Sequence, residues 1–250
     1  MSPFHAVAIF AAGIVAGTIN TVVGSGTLIT FPVLLGFGYA PVVANVSNTV
    51  GLIPGFVTGT LGYRRELSGQ RARITSLAGA SVTGGAIGAV LLLSLPASAF
   101  EAVVPAFIAI AVALIVLQPR LSRLLGNRRS RTRGRLGPIA TLAVMLGGVY
   151  GGYFGAAQGI LVLAILILAL DDDLQRLNAV KVVLTGLVNV VSGVVFILAA
   201  HVAWAPAGLI AGGSLIGGVL GARVGRRLSL PVLRAVIVVI GIAAIVHLLA

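Results

Sequence analysis

The sequence predicts an all-α polytopic membrane protein of two inverted repeats. Each repeat is a broken or re-entrant helix hairpin plus three transmembrane helices, about eight membrane helices in all. Three observations lead there: too little charge for water, glycine-rich interruptions inside apolar runs, and a motif set that recurs at nearly constant spacing. Only 9% of the 250 residues are charged, and 58% are apolar. An ordinary soluble domain carries roughly 25% charge, so folding in water would leave this chain without polar cover, and its solvent is lipid.

Uninterrupted apolar runs cover 4–20, 27–38, 42–62, 74–95 and 100–117, then 139–154, 160–170, 177–200, 205–222 and 232–249. Runs of 21 or 22 residues reach about 30 Å as helix and cross the hydrocarbon, whereas 27–38 and 160–170 reach only about 16–18 Å. Each short run follows a break, Gly24-Ser25-Gly26 or Gly155-Ala156-Ala157-Gln158-Gly159. Unwound backbone at membrane depth is tolerated only inside protein or beside a wet cavity, so both breaks are candidate binding sites.

Gly79, Ser81, Gly84, Gly85, Gly88 and Ala89 recur 133 positions later as Gly212, Ser214, Gly217, Gly218, Gly221 and Ala222, and Asn45 falls on Asn178. At an offset of 135, Gly13 and Gly17 match Gly148 and Gly152. This divides the chain into a first repeat 1–118, a basic linker 119–137 and a second repeat 138–250. Packing need alone also makes glycine-rich helices alike.

The net charge of +12 is a topology signal rather than a nucleic-acid footprint, because arginines crowd a few loops: 64–73, 120–135 and 223–234. By the positive-inside rule these are cytoplasmic. The loops 96–99 and 201–204 hold no Lys or Arg and belong outside, which places both termini outside and gives the halves opposite orientation. Discontinuous helices in inverted repeats put a substrate site near the midplane.

Polar side chains within spans need a reason. Asn20, Ser25, Thr27, Asn45 and Asn48 gather at the first break and the helix after it; Gln158, Asn178 and Lys181 gather at the second. Asn178, Lys181, Thr185 and Asn189 share one helical face. Lys181 is the only lysine. A cation beside exposed amides suits an anion, so these eight residues form a candidate substrate site. Lys181 snorkelling to headgroups, or pairing with the aspartates 171–173, is the alternative, as is interhelical hydrogen bonding for the asparagines. With no cysteine and three scattered histidines, neither a metal site nor a cofactor is expected. Ser25 lacks a nearby His or Asp and the G-x-S-x-G pattern, so an intramembrane hydrolase is a minor alternative; a gated anion channel is another.

The run from Gly17 through Thr18, Ile19, Asn20, Thr21, Val22, Val23, Gly24, Ser25, Gly26 and Thr27 to Leu28, followed by Phe31-Pro32, resembles the N-terminal signature of the sulfite exporter TauE/SafE family. So do Ala44-Asn45-Val46-Ser47-Asn48-Thr49, Pro54-Gly55 and Gly62-Tyr63-Arg64-Arg65-Glu66-Leu67. The stretch 148–159 and Asn178-Ala179-Val180-Lys181 look like the repeated version. The resemblance implies a bacterial inner-membrane transporter for small sulfur-containing anions such as sulfite, sulfoacetate or related organosulfonates. The second break departs from the glycine-rich form common in that family.

Overall fold

A computed structural model describes residues 1–126 and 137–224, with Ala235, Val238, Val239, Ile240, Ile242 and Val246 beyond them. Among the described residues the secondary structure is entirely helical: α1 Pro3–Val22, α2 Thr27–Gly36, α3 Pro41–Gly62, α4 Arg71–Ser94, α5 Ala97–Gly126, α6 Pro138–Tyr153, α7 Gln158–Ala169, α8 Leu174–Ala199 and α9 Trp204–Val224. Six of these, α1, α3, α4, α5, α8 and α9, are long and apolar enough to cross a membrane. The expected last helix over 232–249 lies largely outside the described residues, as does most of the basic linker. Helix α5 runs on to Gly126, past the expected repeat boundary at 118. Its added stretch, 119–126, opens on Pro119 and is otherwise mostly arginine and leucine, both good helix formers, which carry the helix past the proline as far as the glycine.

Pro and capping residues set several helix starts. Ser2 accepts a hydrogen bond from the His5 N–H and is followed by Pro3 at the first helical position; Asp173 caps α8 through the Gln175 N–H. These are the residues that satisfy or forgo the orphan amides of a first turn.

The chain doubles back at each break. The His5 ring, one turn into α1, stacks on Phe37, just past α2, with centroids 4.1 Å apart, so the α1–α2 hairpin begins and ends at one level. A Cβ on Gly26 would overlap the Ala16 carbonyl, which shows the break climbing back about one and a half turns before α2 starts. That fold-back reconciles a 20-residue α1 with a 10-residue α2.

Small residues let helices from distant parts of the chain meet backbone to backbone. Helix α1 packs on α9 and α4 on α6, while α3 crosses α8, with α9 beside α3 and α4 beside α8. A Cβ on Gly17 would lie 2.8 Å from Ser214 Cα, and one on Gly148 would lie 3.0 Å from the Ser81 carbonyl oxygen. A Cβ on Gly217 would overlap the Ile14 carbonyl and approach Gly17 Cα at 3.0 Å; one on Gly84 would overlap the Met145 carbonyl and approach Gly148 Cα at 3.0 Å. The same close approach is thus made twice. In both, Gly17 corresponds to Gly148, 131 positions on, rather than at the offset of 135 read from the sequence. Hydrogen bonds at the helix ends agree: Val23 and Gly24 both donate to the Ile19 carbonyl, and Phe154 and Gly155 both donate to the Tyr150 carbonyl. Glycines spaced by four along a helix match equally well one turn out of register, which is why the sequence misplaced them.

The loops after α3 and α7 are tied together. Arg73 bonds and pairs with Asp172, Arg176 Nε lies 3.1 Å from the same carboxylate, and Gln70 Nε2 donates to the Arg176 carbonyl at 3.2 Å. Burial alone would raise the Asp172 carboxyl, but hydrogen bonds from Arg73, Arg176 and the Asp173 N–H, with the Arg73 charge, outweigh it and hold it below the usual carboxylate range. A depressed acid stabilises the fold above its unfolded value, about 3.9, and loses that contribution as pH falls through the folded value. Asp172→Asn is therefore expected to cost about 1 kcal/mol at pH 7 and less at about pH 3, below the unfolded value. Thermal unfolding of both proteins at the two pH values checks this.

Candidate functional site

The two breaks meet at the centre. Gly159 donates its N–H to the Gly24 carbonyl at 3.0 Å, joining the start of α7 to the end of α1. Gly24 has φ +90° and Gly155 φ +78°, left-handed conformations that glycine adopts without a Cβ penalty. Ala157, at φ 58°, takes a similar conformation with a Cβ and is the strained member of the second break.

The hairpins leave carbonyls at the ends of α1 and α6 that no helical N–H can reach. Side chains of α3 and α8 supply the donors. Lys181, wholly buried, donates through Nζ to the Asn20 carbonyl at 3.0 Å and the Thr21 carbonyl at 3.4 Å. Asn178 Nδ2 also donates to the Thr21 carbonyl, at 3.2 Å, while Asn45 Nδ2 donates to the Tyr153 carbonyl at 2.9 Å. The lysine therefore neither snorkels nor joins the aspartates 171–173. It places positive charge on the negative end of the α1 dipole.

Asn20 stabilises the first break directly, its Oδ1 accepting from the Gly26 N–H at 2.6 Å. Asn48 ties α3 to α2: its Nδ2 donates to Thr27 Oγ1 at 3.2 Å, and its Oδ1 accepts from Thr30 Oγ1. Gln158 lies over Gly151, where a Cβ would overlap its amide. All eight residues singled out in the sequence are buried: Ser25 and Gln158 lie in the breaks, Asn20 bonds Gly26, Asn45, Asn178 and Lys181 bond the carbonyls just before the breaks, and Asn48 and Thr27 bond each other just after the first. Four keep a buried polar atom with no hydrogen-bond partner: Ser25 Oγ, Gln158 Nε2, Asn45 Oδ1 and Asn178 Oδ1. Such atoms are costly unless something satisfies them.

A narrow internal cleft runs beside the meeting point, with room for about one water molecule. Asn20, Thr27 and Gln158 line it; Ser25, Asn45, Asn48, Asn178 and Lys181 are not among its lining residues. The sequence reading left Thr49, Phe56, Thr185 and Asn189 out of the site, yet they line the cleft. The three-and-four spacing of Thr185 and Asn189 from Lys181 was the available signal. Phe56 carried none, being one apolar residue among many. Ser25 Oγ has no partner to act as a base, which is what activation of a serine nucleophile requires.

Buried polar groups gathered at discontinuous helices between membrane-crossing ones define an integral membrane transporter class. A family model described as "Sulfite exporter TauE/SafE" matches residues 9–248, and the chain belongs to that family of membrane transporters. It is 28% identical over 234 residues to "Probable membrane transporter protein YfcA" of Escherichia coli K12, covering 92% of this chain and 82% of that one. A "Probable membrane transporter protein" of Haemophilus influenzae is 26% identical, with 92% and 89% covered. "Probable membrane transporter protein ORF9" of a Sinorhizobium species is 30% identical, with 99% and 94% covered. No solved structure matches the chain.

Proposed function

We propose that the chain exports small sulfur-containing anions such as sulfite, sulfoacetate or related organosulfonates across the bacterial inner membrane, by alternating access of two inverted halves, 1–118 and 138–250. The observation that carries this reading is the set of unpartnered polar atoms where the two breaks touch. Ser25 Oγ and Gln158 Nε2 can each donate to an oxyanion, and Lys181 supplies the compensating charge one layer behind. Asn45 Oδ1 and Asn178 Oδ1 are acceptors, their Nδ2 groups being committed to carbonyls. They suit a protonated oxygen of the substrate or a bridging water. The twofold repetition of the α1–α9 and α6–α4 approaches supports the inverted arrangement, whose expected site lies at the repeat interface. With no room for an anion in the cleft, the conformation fits an occluded state.

Among the described residues no carboxylate takes part in the hydrogen bonds at the breaks, and uniport of an anion needs none. A negative interior drives an anion outward with about 2.3 kcal/mol per charge per 100 mV. In proteoliposomes, efflux of sulfite, thiosulfate, sulfoacetate and taurine is the deciding screen. We expect at least one sulfur oxyanion to move, faster with an imposed interior-negative potential. Flux indifferent to potential would overturn uniport, and unitary currents in a planar bilayer would show a channel. Single cysteines at Ala97 and Ala203 should label from outside intact cells and one at Gly126 should not. Outside labelling of Gly126 would overturn the orientation, including external termini.

A further inference from the structure

We propose that the arginine-bearing end of the α3–α9 crossing binds one anionic phospholipid, its phosphate held by Arg64, Arg65 and Arg223 and an acyl chain laid in the groove between α3 and α8. The reading rests on the chain being membrane-embedded and not on which substrate it carries. A cleft of about 370 Å³, open to the surface, lies between the ends of α3 and α9, with these three arginines, Glu66, Leu61 and Val219 among its walls. Its floor is firm: Gly62 packs against Ala222, and Thr58 Oγ1 donates to the Leu215 carbonyl at 3.0 Å.

The described arginines of this end differ in their surroundings, Arg71 being exposed but outside the walls of the cleft. Arg73 and Arg176 are spent on Asp172. Among the described residues, Arg64, Arg65 and Arg223 make no ion pair or side-chain hydrogen bond, and all three are exposed. Guanidinium groups match phosphate oxygens with paired donors, and basic pockets beside transmembrane helices at the headgroup level suit anionic lipid.

Continuity with apolar surface argues for a lipid rather than a soluble phosphate. Leu61 also lines a second cleft, of about 250 Å³, between α3 and α8, whose other walls include Val57, Val183, Leu187 and Val190. Leu61 is 60% exposed and Val57 51%, so an acyl chain leaving the arginine pocket would lie along them. A zwitterionic headgroup brings an ammonium toward three guanidinium groups and is disfavoured; phosphatidylglycerol brings a hydroxyl and is not.

The test uses the purified full-length chain in detergent and native mass spectrometry with phosphatidylglycerol or phosphatidylcholine of identical chains. Wild type should retain phosphatidylglycerol at least fivefold better. Arg64→Gln, Arg65→Gln and Arg223→Gln should each reduce that preference, Arg71→Gln should keep it, and Leu61→Asn should weaken retention of both lipids. Arg65→Lys, which keeps the charge, serves if the glutamine variants do not stay monodisperse. Equal retention of the two lipids, or variants indistinguishable from wild type, would overturn the site. Displacement of the lipid by glycerol 3-phosphate at matching concentration would mark it as a soluble-anion site and overturn the lipid reading.

Discussion

Gly24→Ala should leave little folded protein. The backbone at φ +90° costs any residue with a Cβ roughly 1–3 kcal/mol. The new Cβ would also stand 2.5 Å from Gly159 Cα and 2.9 Å from its carbonyl carbon, and neither is the end of a flexible side chain. Pushing the breaks apart removes the Gly159–Gly24 hydrogen bond and typically adds about 1–3 kcal/mol for overpacking. Together the cost is about 2–6 kcal/mol, a large part of ordinary domain stability. Gly36→Ala is the control, since nothing lies within 4 Å of the methyl it would add and its φ is not left-handed. Thermal unfolding followed by size exclusion should show Gly24→Ala aggregating or melting far earlier, with Gly36→Ala near wild type. Equal melting of the two would mean that the breaks do not touch.

Lys181→Gln should lower substrate flux at least tenfold and also lower the melting temperature. The ammonium satisfies the Asn20 carbonyl, and a charged hydrogen bond of this kind contributes about 1.5–3 kcal/mol. The Thr21 carbonyl keeps Asn178 as a donor, so the loss at the helix end is partial. The same substitution removes the positive charge behind the donors that face the site. Measuring melting and binding together separates the two roles. A lower melting temperature with unchanged anion affinity would confine Lys181 to capping α1 and remove it from the substrate site.

Much of the fold was legible because lipid imposes strict rules. The scarcity of charge, the two short apolar runs and the glycine breaks all became helices, hairpins and turns where expected. That the eight candidate residues lie buried was legible for the same reason, since polar side chains in hydrocarbon have few excuses. What each one touches was not. The sequence made Lys181 a free cation aimed at an anion; its first partners are backbone carbonyls, which leave no mark on side-chain composition. Phe56 entered the cleft through the crossing of α3 and α8, a long-range contact no local pattern encodes. The repeat register slipped because small residues at every fourth position give several equivalent alignments.

The pairing of α1 with α9 has a consequence for biogenesis. Helix α1 is made first, yet its main partner begins at Trp204. At about 5–20 residues per second, synthesis takes roughly 10–40 s to reach it. During that wait the small-residue face of α1, Gly13, Gly17 and Thr21, lacks the helix it packs against. Helix α4 is relieved sooner, since α6 follows about 45 residues after its end. The early chain therefore passes through an interval in which the glycine face of its first helix depends on the insertion machinery, or on a chaperone in the membrane, for cover.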